Sequence, residues 1–299
     1  MRECRVRPPN ENPMEALSMS DQALEFVILT DCHFGPPGQR FYGLDPRERL
    51  EAAIEVVNRD HARVDFVIFA GDLTDLGQRE AYENFAGAVT KLQVPPILML
   101  GNHDRRGPFR SVFPNADDDG NGFVQALRVF PAASILTLDT LDEDGRTHVG
   151  ILCGRRLAFL ERALREAPAD RPLLLFQHHH SGKVGLRSMD RYNVRNADEQ
   201  WETFERAGRR PDAMFHGHIH RPVFGLWRGV PYHVQRSIMH QVGFDLETED
   251  KIPGSLEPPD FALVRVSGDG LTVHHRQFLY DGPSYWLHDR AAVEGRFVE

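Results

Sequence analysis

Five short apolar segments of this chain each run into aspartate, asparagine or histidine, and this repetition limits the possible folds more than any other feature. The segments are residues 25–30, 65–70, 96–100, 171–176 and 212–216. Runs of this length, separated by stretches with helical spacing, are typical of buried parallel strands joined by helices. The carboxyl ends of such strands lie together at one edge of an α/β sheet, where ligands bind. The sequence therefore predicts a single site assembled from five strand ends.

The rest of the pattern predicts an α/β domain of two packed sheets with helices outside. Asp45, Pro46 and Glu48 begin the first helix as a cap, a proline at the first helical position and a glutamate at the third. Apolar content and flanking turns predict further strands at residues 134–139, 148–152, 223–227, 231–234, 261–266 and 271–278. The last four are expected to be antiparallel, because glycine-containing turns separate them in pairs.

The composition of the chain limits its possible binding partners and its cellular compartment. The chain of 299 residues has a formal net charge of −9, which argues against a broad nucleic-acid surface but not against a phosphate site that carries its own metals. Three cysteines without an even spacing predict free thiols in a reducing, cytoplasmic compartment. The sequence contains no apolar run of the roughly 18 residues that a membrane span needs. We expect residues 1–24 and 282–299 to be flexible tails around a domain at 25–281.

The polar residues at the strand ends carry oxygen and nitrogen donors of the kind that divalent metals prefer. If the chain is still extended after the first strand, Asp31 and His33 point to the same side and can hold one ion. Asp72 offers a carboxylate that can bridge two cations. The other donors are Asn102, His178, His218 and His220. Each cluster alone is common in surface turns, but the ordered set exceeds the needs of one tetrahedral ion and predicts two metals.

The ordered motifs Asp-x-His, Gly-Asp, Gly-Asn-His-Asp, His and Gly-His-x-His resemble those of the calcineurin-like metallophosphoesterase superfamily. The stretches 71–77, 138–140 and 239–242 are similar to its class III cyclic-nucleotide phosphodiesterases and bacterial glycerophosphodiesterases. This resemblance implies a four-layer αββα sandwich of two mixed sheets flanked by helices. It also implies two divalent metal ions per chain, which would be manganese, iron or zinc.

The resemblance further assigns roles to single residues. One metal would take Asp31, His33, Asp72 and His220, and the other would take Asp72, Asn102, His178 and His218. His103 would protonate the leaving group, and His240 would contact the phosphate or the leaving group. Asp104 could orient the His103 imidazole, as a carboxylate partner often does. The histidines at 178–180 lack the proline that commonly follows in the family, so His179 remains a rival to His178.

These features predict a dinuclear-metal phosphodiesterase in which metal-bound hydroxide attacks a small phosphodiester, either a cyclic nucleotide or a glycerophosphodiester. Three alternatives share parts of the pattern: phospholipase C-like hydrolysis of a phospholipid headgroup, a phosphomonoesterase or pyrophosphatase, and a non-catalytic metal-binding scaffold. A membrane lipid substrate needs exposed apolar surface, which Phe34, Phe41 and Tyr42 could supply. A scaffold would be expected to lose ligands or His103, and this chain keeps them all.

Two long irregular segments, at about 181–195 and 236–259, follow strand ends that carry ligands. Loops of such length are usually lids, binding loops or subunit contacts. The second segment contains five apolar side chains in otherwise polar sequence: Ile238, Met239, Val242, Phe244 and Leu246. An exposed apolar cluster usually has a partner, and the family resemblance implies an oligomer. We therefore expect a homodimer or a larger homo-oligomer.

Overall fold

The computed structural model describes residues 23–145 and 147–284. Most of the two predicted tails lies outside these residues, although the first strand begins at Leu24, inside the predicted N-terminal tail. Asp45 caps the first helix as expected, because its Oδ1 accepts hydrogen bonds from the backbone N–H groups of Arg47 at 2.9 Å and Glu48 at 3.4 Å.

The described residues form five α-helices, a short 3₁₀-helix (Asp190–Tyr192) and thirteen strands. The helices are α1 (Pro46–Asp60), α2 (Arg79–Val89), α3 (Arg106–Val112), α4 (Gly154–Glu166) and α5 (Ala197–Ala207). The strands are β1 (Leu24–Leu29), β2 (Phe66–Ala70), β3 (Pro96–Met99), β4 (Ala126–Val129), β5 (Ser134–Leu138), β6 (Leu173–Gln177), β7 (Ala213–His216), β8 (Val223–Trp227), β9 (Val230–Val234), β10 (Gln241–Val242), β11 (Gly254–Ser255), β12 (Asp260–Ser267) and β13 (Gly270–Gln277). None of these helices is both long and apolar enough to cross a membrane.

The strands form two mixed sheets. The first has the order β13-β12-β1-β2-β3, with β1, β2 and β3 parallel, β12 antiparallel to β1, and β13 antiparallel to β12. The second has the order β4-β5-β6-β7-β9-β8, with a parallel centre and an antiparallel strand at each edge. The strands β10 and β11 pair separately as a small hairpin. The five ligand-bearing strands are β1, β2 and β3 of one sheet and β6 and β7 of the other.

Three apolar cores hold these elements in four layers. The central core packs the facing sides of the two sheets, where the Phe26 and Phe176 ring centroids lie 5.8 Å apart. A second core packs the first sheet against α1, α2 and α3, and a third packs the second sheet against α4 and α5. The predicted α/β fold of two mixed sheets flanked by helices is thus confirmed.

The strand predicted at 148–152 is absent, and that segment is a loop. Only an isolated bridge pairs Gly150 with Val194. The reason is positional: β5 already has β4 on one side and β6 on the other, so no edge is available beside it. The sequence pattern missed β4, whose four residues Ala126–Val129 are half-buried or exposed and show no apolar run.

The apolar residues of the segment 236–259 do not form one exposed cluster. Ile238, Met239 and Val242 are buried in their own domain, while Phe244 and Leu246 remain 71% and 45% exposed. The chain packs Ile238 inward because its N–H donates to the Thr30 carbonyl beside β1. Phe34, expected to offer exposed apolar surface, is likewise fully buried in the core.

Candidate metal centre

Five of the predicted ligands adopt a backbone conformation that is rare for residues other than glycine. Asp31, His33, Asp72, His218 and His220 have φ values of 55°, 45°, 49°, 69° and 52°. The prediction that the chain is still extended at Asp31 and His33 is therefore wrong. A left-handed conformation at such residues costs on the order of 1–3 kcal/mol and persists only where the surrounding structure fixes it, commonly at functional sites.

Backbone contacts between loops fix this conformation. The N–H groups of Asp31 and His33 donate to the carbonyl oxygens of Gly71 and Asp72, both at 3.0 Å. Gly71 itself has φ of 101°, and a Cβ there would overlap the His178 imidazole. The glycine of the Gly-Asp motif is therefore required for the close approach of the two loops.

Asp31, His33, Asp72 and His220 form the first ligand group, with one ligand atom from each lying within 4.8 Å of the others. His220 Nε2 lies 3.1 Å from Asp31 Oδ1 and 3.1 Å from His33 Nε2. All four side chains are buried. The structure therefore brings together the set that the sequence predicted for one metal.

Asp72, His178 and His218 form the second ligand group, again within 4.8 Å of one another. His178 Nε2 lies 3.2 Å from Asp72 Oδ2. Asn102, the fourth predicted member, lines the same cleft as Asp72 and His218 and is 6% exposed. Asp72 belongs to both groups, which is the position that a bridging carboxylate requires.

Hydrogen bonds on the far side of two imidazoles direct their Nε2 atoms towards these groups. His178 donates from Nδ1 to the Ala70 carbonyl at 2.8 Å, and His220 donates from Nδ1 to the His240 carbonyl at 2.9 Å. A carbonyl oxygen only accepts, so Nδ1 carries the hydrogen and Nε2 keeps its lone pair in the neutral ring. Metal-binding histidines are commonly oriented in this way.

His179 faces a different part of the core. Its Nδ1 lies 2.7 Å from Thr140 Oγ1, and its ring centroid lies 4.6 Å from that of His218. Among the described residues, His178 belongs to a metal-binding group of side chains and His179 belongs to none. The geometry therefore favours His178 over its rival.

The residues of the two groups fit divalent cations. Three of their buried atoms, Asn102 Oδ1, His178 Nε2 and His218 Nε2, have no hydrogen-bond partner in the described part of the protein. Leaving a buried polar atom unsatisfied costs about 1–3 kcal/mol, and a bound cation would satisfy all three. Carboxylate, amide and imidazole donors together suit divalent metals.

The charges of the site also favour cations. Burial raises the pKa of the Asp72 carboxyl, but the imidazoles of His178, His103 and His33 together lower it to well below its ordinary value. Burial lowers the pKa of His178, but the carboxylates of Asp72 and Asp31 and the hydrogen bond to the Ala70 carbonyl together raise it to about 9. The buried Asp72 carboxylate therefore favours positive charge in the space between Asp72 and His178. Burial and the neighbouring His179 keep the pKa of His218 well below its ordinary value, so that imidazole is neutral.

His103 is held by Asp75, which is not among the residues predicted from the sequence. The His103 Nδ1 atom donates to the Asp75 backbone carbonyl at 2.7 Å. The Asp75 carboxylate accepts a hydrogen bond from His33 Nδ1 at 3.2 Å, so one residue positions two imidazoles of the site. The sequence does contain a signal for Asp75. It lies three residues after Asp72, within the stretch 71–77 that is similar to the phosphodiesterase branch of the family.

The predicted orientation of His103 by Asp104 is corrected by the structure. The Asp104 carboxylate is fully buried and accepts hydrogen bonds at 2.9–3.1 Å from the backbone N–H groups of Leu73, Thr74 and Gly101 and from the Tyr82 hydroxyl. Burial, together with the charge of Asp72, raises the pKa of Asp104 to about 6. Asp104 therefore ties the two ligand-bearing loops together and does not reach the imidazole.

A cleft of about 590 Å³ opens over both ligand groups. His240 lies in its wall, with ring centroids 4.7 Å from His220 and 4.6 Å from Tyr42. The two long irregular segments supply much of the remaining wall, which is largely apolar and includes Met189, Tyr192, Val242, Ile252 and Leu256. Both segments therefore border the site.

Residues 24–222, which include every predicted metal ligand, match the calcineurin-like phosphoesterase family. The chain belongs to this family. The superfamily expected from the ordered motifs is thus confirmed, and the family together with the Asp/His cluster supports divalent metals in this phosphoesterase.

Relatives of this phosphoesterase confirm the predicted branch. A probable cyclic nucleotide phosphodiesterase of Rhodopseudomonas palustris is 53% identical over 270 residues, which cover 90% of this chain and 98% of the relative. A probable glycerophosphodiester phosphodiesterase of Arcobacter nitrofigilis is 32% identical over 89% of this chain and 98% of its own length. A 3′,5′-cyclic adenosine monophosphate phosphodiesterase of Escherichia coli is 30% identical over 69% of this chain and 73% of its own length.

Solved structures share the fold of this phosphoesterase. A dimetal phosphatase from Danio rerio superimposes with a TM-score of 0.63 at 14% identity, covering 86% of this chain and 96% of the other. A purple acid phosphatase from yellow lupin superimposes with a TM-score of 0.66 at 14% identity, covering 89% and 53%. At this identity the likeness concerns the fold alone.

Proposed function

We propose that this phosphoesterase is a metal-dependent phosphodiesterase that binds two divalent ions in the two ligand groups. One ion would be held by Asp31, His33, Asp72 and His220, and the other by Asp72, Asn102, His178 and His218. The observation that carries the proposal is the buried position of Asp72 between both groups. The names of the relatives support a diester as substrate.

The chain's own residues would position and protonate the substrate. Bound divalent ions would supply a nucleophile from water at neutral pH and neutralise charge on the phosphoryl oxygens. The Nδ1 atom of His103 is engaged by Asp75, so Nε2 is the nitrogen left to give a proton to the leaving oxygen. His240 lines the cleft, and its buried Nδ1 lacks a described partner, which supports contact with the phosphate or the leaving group.

The apolar wall of the cleft supports a diester with a sizeable apolar or aromatic substituent. Its side chains Met189, Tyr192, Ile252 and Leu256 offer contact area to a nucleoside base and little hydrogen bonding to glycerol. We therefore place a cyclic nucleotide first and a glycerophosphodiester second. A phospholipid headgroup ranks lower, because Phe34 is in the core and Tyr42 is the exposed aromatic residue of the first loop.

A substrate panel with Mn²⁺ tests this proposal. We would compare bis(p-nitrophenyl) phosphate, p-nitrophenyl phosphate, cyclic AMP, glycerophosphocholine and phosphatidylcholine. The proposal expects diesters to exceed the monoester in kcat/KM, and cyclic AMP to exceed glycerophosphocholine. A preference for the monoester would contradict a diesterase, and a preference for phosphatidylcholine would reassign the cleft to lipid headgroups.

The metal identity and the compartment are part of the same proposal. The mixed donors support manganese, iron or zinc rather than a hard cation bound only by oxygen. Cys32 and Cys153 are both free thiols, which supports a reducing, cytoplasmic compartment.

Alanine at His178 is expected to weaken one ion selectively, while alanine at His179 leaves both bound. The reason is that His178 Nε2 lies 3.2 Å from the shared Asp72 carboxylate, whereas His179 contacts Thr140. Metal content per chain after dialysis, measured by elemental analysis, distinguishes the two variants. If alanine at His179 removes one ion and alanine at His178 removes none, the ligand is His179.

We also propose a homodimer or a larger homo-oligomer built through the segment 236–259. Phe244, Leu246, Ile252 and Leu256 of this segment are 71%, 45%, 49% and 58% exposed, which is the support for a partner there. Light scattering at micromolar concentration is expected to give at least twice the chain mass of 34.0 kDa. The double change of Phe244 and Leu246 to serine should lower that mass, whereas serine at the exposed Tyr280 should not. A wild-type mass near that of one chain would contradict the oligomer.

A further inference from the structure

His148 hydrogen-bonds to the proposed metal ligand Asn102 in the cleft. The two side chains meet at 2.8 Å, between Asn102 Nδ2 and His148 Nδ1. His148 is exposed and lines the cleft, with its ring centroid 5.1 Å from that of His103 and 6.0 Å from that of Tyr192. It lies on the loop 147–153, far along the chain from the other site residues.

This contact determines which end of the Asn102 amide faces the ligand group. An asparagine side chain has one oxygen that can bind a cation and one NH₂ group that only donates. His148 accepts a hydrogen bond from the NH₂ group, and Asn102 Oδ1 remains buried without a described partner. Rotation of the amide by half a turn would present NH₂ to the cation, and Oδ1 could then bond to His148 only if the imidazole carried its hydrogen on Nδ1.

The same contact determines the tautomer of His148. Nδ1 can accept from Asn102 only if it carries no hydrogen, so the hydrogen of the neutral ring lies on Nε2. Among the described residues no hydrogen bond engages that Nε2–H group. A donor is therefore left available in the cleft, beside the imidazole proposed to protonate the leaving group.

From this geometry we infer that His148 is a positioning residue for the second ion and a hydrogen-bond donor to the substrate. Its Nδ1 holds the Asn102 amide with the oxygen towards the metal. Its Nε2–H donates to a phosphoryl or ester oxygen of the bound diester. The inference rests on the proposed two-metal phosphodiesterase and adds a residue to it.

Three substitutions separate the two roles. His148→Asn places an oxygen acceptor near the position of Nδ1 but removes the distal donor. His148→Gln places an amide donor near the position of Nε2 but removes the proximal acceptor. His148→Ala removes both groups, and His274→Ala, at an exposed position on β13, serves as the matched control.

The readouts are Mn²⁺ affinity of the metal-free protein by titration, and kcat and KM with bis(p-nitrophenyl) phosphate. His148→Ala should weaken the second ion by about 10–100-fold, the usual effect of losing a group that orients a metal ligand, and should raise KM at saturating Mn²⁺. His148→Asn should restore the metal affinity but leave KM raised. His148→Gln should restore KM but leave the metal affinity weakened. The His274→Ala control should match wild type in all three quantities.

Wild-type affinity for both ions in His148→Ala would overturn the positioning role. A wild-type KM in His148→Asn would overturn the contact with substrate. If the wild-type protein binds two ions but hydrolyses no diester, the proposed function fails while the metal titration still reports on the Asn102 contact. Matching unfolding temperatures of the metal-free proteins would show that lost affinity does not come from a damaged fold.

Discussion

Replacement of Asp72 by alanine is expected to lower phosphodiesterase activity by at least about 10³-fold, because the metals contribute several kcal/mol of charge stabilisation to the transition state. The expected cause is the loss of one carboxylate from both ligand groups at once. Metal content should fall as well, and should not recover at micromolar Mn²⁺. Activity with bis(p-nitrophenyl) phosphate and elemental analysis of the same sample measure the two effects together.

Two further variants control for the fold. Asp72 Oδ1 also accepts a hydrogen bond from the His103 N–H at 2.9 Å, so Asp72→Asn, which keeps an oxygen acceptor, tests the bridge with less risk to the loop. Asp269→Ala changes an exposed turn aspartate and should leave both quantities unchanged. Two ions bound at wild-type affinity in both Asp72 variants would show that this residue does not bridge.

His103→Ala is expected to keep both metals and to lose activity by about 10²–10⁴-fold on a diester with a poor leaving group, the usual contribution of positioned proton transfer. The reason is that His103 borders the metal groups and its free Nε2 is the only atom of the ring available to the substrate, since Nδ1 donates to Asp75. The loss should shrink for bis(p-nitrophenyl) phosphate, because p-nitrophenolate leaves without a proton.

The ratio between the two substrates is the decisive readout for His103. An equal loss with good and poor leaving groups would reject proton donation and favour a role in binding the phosphate. Loss of metal in the same variant would instead show that the imidazole supports the ligand loops. His274→Ala is again the control, because that histidine is exposed on the edge strand β13.

Much of this architecture could be predicted because its signals are local in sequence. The apolar runs that became β1, β2, β3, β6 and β7 are short and bounded by polar residues, and parallel strands bring their carboxyl ends to one region. The candidate ligands follow from residue type at those ends, and the family resemblance divides them between two metals. The Asp45 cap and the two late hairpins also depend on neighbouring residues, so periodicity and turn chemistry were sufficient.

The parts that could not be predicted depend on contacts between distant residues. The left-handed conformation of Asp31 arises from its N–H bond to Gly71, forty positions away, and no local pattern encodes it. Adjacency in sequence suggests that Asp104 orients the His103 imidazole, but its carboxylate accepts a hydrogen bond from Leu73 in the loop after β2. The burial of Ile238 likewise depends on a contact with the residue after β1.

The contact between His148 and Asn102 also joins residues that are distant in the sequence. Residues 148–152 have the apolar content of a strand but form a loop. Only the sheet topology, in which β5 has no open edge, turns that segment towards the cleft.

The most direct test of the two-metal phosphodiesterase is a titration of metal-free protein with Mn²⁺ while hydrolysis of bis(p-nitrophenyl) phosphate is followed. We predict no measurable hydrolysis without metal, and an activity that rises until two ions are bound per chain and then stays constant. Full activity in the metal-free protein, or no hydrolysis at saturating Mn²⁺ in protein that has bound two ions, would contradict it.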